Sequence, residues 1–359
     1  MSRKIRETEG KSLVVGELST GCKLCMKGAK LVLFITGLCN AKCFYCPLRE
    51  DRKWKDVMYA NEVKISSLQD MIKEAEAMKA EGTGVTGGDP LLVLDRTVKA
   101  IKMLKEHFGE QHHIHLYTNA INLTIEKAKL LKKAGLDEIR IHPTRNEDWR
   151  KVLIAKKAGL TTGVEVPAIP GEAEKLKRKL KAIEAMKVDF VNINELEFTP
   201  TNAINLKLRG YKLKNGSLAA VEGSEEEAIK ILEWAAKNTN LNIHYCPSRL
   251  KDQVQLKNRL RRRAAQVALK HEKITDEGLL TKGVIEAEGN LEEIRRKIIE
   301  ELSIPSDLVI VNEEKQRIET TTEAAISIAS AELPYNLKIF IVEEYPTADR
   351  LEVTRIPLR

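Results

Sequence analysis

Three of the six cysteines in this 359-residue chain fall on one short stretch, Cys39-Asn40-Ala41-Lys42-Cys43-Phe44-Tyr45-Cys46. The CxxxCxxC spacing puts three thiols on one loop. Three thiolates can hold three irons of a [4Fe–4S] cluster, which normally takes four cysteines, and leave the fourth iron open to another ligand. Two plainer readings compete. A structural zinc site normally wants four protein ligands. Buried packing residues would not stand among Lys42, Pro47 and Arg49, as Cys43 and Cys46 do.

Other residues could work beside that loop. Gly87-Gly88-Asp89-Pro90 puts two glycines where a ligand could approach the backbone, and the Asp89 carboxylate could meet an ammonium group. A plain turn is the alternative. Thr118, Asn119, Arg140, His142, Glu165 and Pro167 fall at the ends of expected strands. Cys22 and Cys25 form a CxxC, and Cys246 follows His244 directly after a further strand. These three cysteines could hold an auxiliary iron–sulfur cluster or zinc, act in part as a redox dithiol, or be unrelated thiols. The stretch 253–270 reads as a helix rich in Lys and Arg, including Arg259, Arg261, Arg262 and Arg263. Such a face suits phosphates, or is simply solvated.

The elements that must place these residues alternate along the chain. Lys30–Thr36 reads as a buried strand, bounded by Gly37, so the cysteine loop begins at a strand's carboxyl end. Further strands are expected near 84–86, 114–119, 138–142, 164–167, 190–194 and 241–245. Helices with serine or threonine caps lie between them. Two of those helices end alike, in Lys132-Lys133-Ala134-Gly135-Leu136 and Lys156-Lys157-Ala158-Gly159-Leu160. Glycine there stops a helix that turns back into a strand. Residues 47–64 read as a polar loop. This cadence predicts an α/β fold with a parallel sheet and right-handed crossovers. Six or seven units give a partial (β/α)6-7 TIM-like barrel, with the strand ends lining one face. The expected divisions are 1–29, an extension carrying the CxxC; 30–250, the partial barrel; 251–280, a basic helical linker; and 281–359, a small α+β domain with a ferredoxin-like order.

The CxxxCxxC loop, with Tyr45 as the aromatic before its last cysteine, resembles the signature of the radical S-adenosylmethionine superfamily. The chain looks most like archaeal members related to pyruvate formate-lyase activating enzymes and other glycyl-radical-enzyme activases. The resemblance spans residues 30 to 246. It implies that Cys39, Cys43 and Cys46 bind a [4Fe–4S] cluster and that S-adenosylmethionine chelates the open iron. An electron from an external donor of ferredoxin or flavodoxin type then cleaves it to a 5′-deoxyadenosyl radical. Gly87, Gly88 and Asp89 stand where the family has Gly-Gly-Glu-Pro, which binds the methionine amino group; aspartate for glutamate is a departure. Matched by position only, Thr118, Asn119, His142 and Glu165 would bind the rest of the cofactor beside Tyr45. The resemblance assigns no other catalytic residue and no substrate.

Composition bounds the rest. Lys and Arg total 60 against 52 Asp and Glu, a formal charge of +8. That allows an anionic partner without demanding one. With the basic helix and the appended domain, it makes RNA, above all tRNA, the first substrate expectation. A protein or peptide is the second, and a non-catalytic iron–sulfur or zinc RNA-binding protein the third. No apolar run nears the ~20 residues of a membrane helix and no signal peptide opens the chain, so a cytoplasmic protein is expected. Abundant Lys and Glu with 4% aromatics hint at a thermophile.

Overall fold

Short apolar runs form the expected strands in the structure, a computed structural model that describes residues 2–359. The chain divides into two units. One holds residues up to Glu76 with Ala80–Leu256; the other holds Ala77–Lys79 with Lys257–Arg359. No helix of the described residues is long and apolar enough to cross a membrane.

The first unit carries β1 (Ile5–Glu7), β2 (Leu13–Val15), β3 (Lys30–Thr36), β4 (Met58–Ala60), β5 (Val63–Ile65) and β6 (Gly82–Gly87). It continues with β7 (His113–Thr118), β8 (Glu138–Ile141), β9 (Thr161–Ala168), β10 (Phe190–Glu195) and β11 (Ile243–Cys246). The order across the sheet is β1-β2-β11-β10-β9-β8-β7-β6-β3-β4-β5. The seven strands from β11 to β3 run parallel. The sheet is open, and an antiparallel hairpin flanks each side of the parallel set.

Those hairpins differ from the sequence expectation. Residues 58–65 are not loop: Asn61 takes the left-handed turn (φ 51°), and its Oδ1 accepts the Val32 N–H at 3.0 Å. Asparagine tolerates that conformation and can bond the backbone locally, so Asn61 opens the two-residue turn Asn61-Glu62 and also satisfies an amide of β3. Residues 2–29 supply β1, β2 and α1 (Thr20–Met26) to the same unit.

Side chains alternate across each strand. Leu31, Leu33, Val85, Leu116, Ile139, Val164, Val191 and Ile243 are buried on the outer face, towards the helices. The inner face is polar: His113, His115, Tyr117, Glu138, Arg140, Glu165, Asn192, Asn194 and His244. Small residues make room, since a Cβ on Gly84 would lie 2.7 Å from His115 Nε2. α1 seats on this lumen. Its cap Ser19 accepts the Cys22 N–H at 3.2 Å, Arg140 donates to Ser19 Oγ at 3.2 Å, and the Gly21 N–H meets Glu138 at 3.4 Å.

The second unit runs β12 (Lys273–Ile274), β13 (Leu280–Ala287), a helix Leu291–Leu302, β14 (Val309–Asn312), β15 (Arg317–Thr320), a helix Thr322–Ser330, β16 (Leu337–Glu344) and β17 (Glu352–Pro357). Strand order β14-β15-β13-β16-β17, all antiparallel, is a ferredoxin-like βαββαβ with one added edge strand. Ile285, Ile294, Ile298, Ile318, Ile328 and Ile339 form its core. The other face buries charge. Lys282 Nζ lies 3.1, 2.8 and 2.9 Å from Glu272, Glu319 and Glu344, and Arg317 pairs with Glu319 and Glu344. β15 escapes a reading by hydrophobicity because two of its four residues belong to this network.

The basic helix is Lys257–Val267. The expected solvent-facing row of arginines needs correction. Arg263 is buried and donates to the Pro346 carbonyl at 2.5 Å, Arg261 pairs with Asp276 at 3.0 Å, and Arg259 and Arg262 are half-buried. Burying Leu260 and Ala264 turns Arg263 inward with them.

Candidate active site

Cys39, Cys43 and Cys46 leave the carboxyl end of β3 on one loop, and all three are free thiols. They line a cavity of about 560 Å³ with Gly87, Gly88, Thr118, Asn119, His142 and Glu165, within the usual size of a cofactor site. The fold thus gathers at one mouth the strand-end residues expected from the sequence, with Asp89 and Arg140, both buried, the exceptions. A second cavity of about 750 Å³ shares Ala41–Tyr45 and His142 with the first, and Ile121, Arg145, Trp149, Leu176 and Lys179 extend it.

The loop is anchored by backbone that only glycine permits. A Cβ on Gly88 would stand 2.1 Å from the Leu38 carbonyl oxygen, and one on Gly37 would stand 1.7 Å from that of Arg52. The Asp89 N–H donates to Leu38 at 2.7 Å, and the Gly88 N–H to Thr36 at 2.8 Å. The close approach that the Gly-Gly pair allows is therefore to the cysteine loop itself. Asn119 also holds the loop: its Nδ2 donates to Asn40 at 2.7 Å and reaches Cys39 Sγ at 3.7 Å.

Asp89 does not line the cavity. It is fully buried and caps the turn Pro90–Val93, accepting from the Leu91 N–H at 3.0 Å and the Thr118 hydroxyl at 2.9 Å. Burial raises its carboxyl above the usual range. An aspartate preceding proline at a turn bonds backbone two residues on, and Oδ1 makes both of these bonds while Oδ2 is buried without a partner.

His142 is committed too. Its Nδ1 donates to the Glu165 carbonyl at 2.8 Å, which leaves Nε2 to accept the Tyr45 hydroxyl at 2.9 Å. Burial lowers its pKa, so the ring is neutral. The Glu165 carboxylate takes Asn194 at 3.0 Å, Asn192 at 3.2 Å and Arg140 at 3.3 Å. Phe44 stacks on Tyr211 (6.3 Å, 5°) under the guanidinium of Arg209. Asn194, Arg209 and Lys251, the last paired with Glu197, also line the cavity and were not singled out in the sequence. The polar period of Asn192-Ile193-Asn194 is the signal that marks the first of them.

The donor set fits an iron–sulfur cluster. Cys39 Sγ receives the Ala41 N–H at 3.4 Å as well as Asn119. Burial raises Cys39 and pushes Cys43 up to about 11. Both stay thiols until a metal displaces the proton.

Comparisons with known proteins agree. The model of the radical SAM superfamily matches residues 33–148, and that of a domain of unknown function matches 278–358. A protein of Methanocaldococcus jannaschii, provisionally named a glycyl-radical enzyme activating enzyme, is 43% identical over 357 residues, covering 95% of this chain and 93% of that one. A probable GTP 3′,8-cyclase of Methanococcus maripaludis is 28% identical over 145 residues, 38% of this chain and 46% of its own. Among solved structures, SuiB of Streptococcus suis bound to its precursor peptide gives a TM-score of 0.45 at 13% identity, covering 63% of this chain and 51% of that one. The methyltransferase TsrM of Kitasatospora setae gives 0.40 at 15%, covering 74% and 59%. The chain thus spans between half and three fifths of these two structures. Full-length identity of 43% and the matched domain establish that the chain belongs to the radical S-adenosylmethionine superfamily, enzymes that use a [4Fe–4S] cluster and S-adenosylmethionine.

Proposed function

We propose that this enzyme abstracts hydrogen from a protein or peptide, with Cys39, Cys43 and Cys46 holding the cluster and the 560 Å³ cavity holding S-adenosylmethionine. The observation that carries the substrate class is the full-length relative, provisionally named an activating enzyme of glycyl-radical enzymes, which are proteins. The mouth supports it. Asn205 and Arg209 line the cavity, while Ile204 and Leu208 beside them stand 73% and 79% exposed. Exposed apolar side chains at a rim suit a protein surface. RNA, the first expectation, loses part of its support with the burial of Arg263.

When bound, the cluster and S-adenosylmethionine together supply a hydrogen-abstracting radical. The chain's own residues hold the geometry. Gly37 and Gly88 let the loop pack on the strand ends, and Asn119 fixes Cys39. His142 fixes Tyr45, and Tyr211 and Arg209 stack on Phe44 of the cysteine loop. Thr118, Asn119 and Glu165 form a wall whose hydrogen bonds are largely satisfied internally, which keeps it rigid.

The test is isotope transfer. Reconstituted enzyme with reductant and S-adenosylmethionine is given either perdeuterated protein or perdeuterated tRNA from the source cells. Deuterium entering 5′-deoxyadenosine from the protein fraction alone is expected. Deuterium from tRNA alone overturns the substrate reading and restores RNA.

A further inference from the structure

Three cysteines lie outside the loop of Cys39, Cys43 and Cys46, and the fold brings them together from distant parts of the chain. Cys22 and Cys25 are three apart on α1 and so share a helix face. Cys246 ends β11 in register with Asn194 of β10. Cys22 Sγ lies 3.4 Å from Asn192 Nδ2 and 3.4 Å from Arg140 Nη2. Asn192 stands in register with His244 and Asn194 with Cys246, and Glu165, which lines the cofactor cavity, bonds both asparagines. Cys22, His244 and Cys246 therefore share the lumen beneath that cavity, and Cys25 stands three residues along α1 from Cys22.

Next to them stands His244, two residues before Cys246 and so on the same side of β11. Its Nε2 bonds Ser12 Oγ at 2.9 Å, while its Nδ1 is buried without a partner. In the tautomer that gives Nε2–H to Ser12, Nδ1 presents a lone pair to the lumen. A ring fixed through its other nitrogen is the usual state of a ligating histidine.

We propose that Cys22, Cys25 and Cys246, with His244 Nδ1 as fourth ligand, hold a second iron–sulfur cluster in the lumen. A single ion does not fit. Two sulfurs each about 2.3 Å from one zinc lie no more than about 4.6 Å apart. Among the described residues, only His271, Glu272 and Glu319 bring three ligand atoms within 4.8 Å of one another, and the Lys282 ammonium already lies between those two carboxylates. A cluster gives each ligand its own iron and tolerates wider spacing. Three thiol protons leave on binding. Arg140 offsets the resulting negative charge, and its N–H to Cys22 is the kind of sulfur hydrogen bond that such clusters use.

The test reads metal, not turnover, and so stands apart from the substrate reading. The full chain carrying Cys39→Ala, Cys43→Ala and Cys46→Ala is reconstituted anaerobically with ferrous iron and sulfide. It is expected to retain about half the parent's iron, with the visible absorption of thiolate-bound iron. Adding Cys22→Ser, Cys25→Ser and Cys246→Ser should remove the remainder. Since the first variant leaves the lumen intact, its result does not depend on whether the second one folds. Background iron in the first variant overturns the proposal, as does one zinc per chain in place of iron.

Discussion

Asp89 and Asn119 show how far residue type carries an argument about a site. Both stand at expected strand ends, but Asp89 points into the protein and Asn119 grips the cysteine loop. Spacing singles out Cys39, Cys43 and Cys46 because three thiols on one loop have few other uses. It could not show side-chain direction, which the turn at Pro90 decides for Asp89. Two predictions follow at this scale. Asp89→Asn should leave S-adenosylmethionine affinity unchanged, while Asp89→Ala should cost about 1 kcal/mol of stability through the lost cap. A large loss of affinity in Asp89→Asn by calorimetry would put the carboxylate back on the ligand. Tyr45→Phe should cost about 1 kcal/mol through the lost bond to His142, read as a lower midpoint in denaturant.

Elements decide where those residues can go. The junction of β6 with the cysteine loop has no room for a Cβ at Gly88. Gly88→Ala should overpack it at about 1–3 kcal/mol and lower iron loading of the anaerobically reconstituted protein. Unchanged loading would show that the loop tolerates displacement. The strand–helix cadence was legible because parallel strands joined by helices repeat one pattern. The polar alternation of His113-Ile114-His115-Leu116-Tyr117 marks a polar inner face, as the structure shows. The hairpin at 58–65 and β15 were not legible. One turns on a left-handed asparagine within a two-residue loop; the other carries charges that only tertiary pairing makes tolerable.

At the scale of the whole molecule, the second unit is held by buried charge, so its stability should depend on pH. Burial alone would raise Glu319 and Glu344. His271, Lys282 and Arg317 outweigh it at Glu319, and Lys315, Lys282 and Arg317 at Glu344, so both fall below the usual range. Because the folded values lie below the unfolded value of about 4.3, this stabilisation is complete above that pH and is lost as pH falls towards the folded values. Hydrogen exchange in β13–β16 should therefore accelerate in acid below about pH 4. Glu319→Gln should cost about 3 kcal/mol by leaving Lys282 and Arg317 short of a partner, and should flatten that acid dependence. An acid profile identical to the parent's would show the network to be inert.

The central claim is that radical chemistry starts at the loop of Cys39, Cys43 and Cys46. Its most direct test is the release of 5′-deoxyadenosine from S-adenosylmethionine by anaerobically reconstituted, reduced protein, with and without Cys39→Ala, Cys43→Ala and Cys46→Ala together. The parent should release 5′-deoxyadenosine and the triple variant none. Release at the parent's rate from the triple variant would contradict the account.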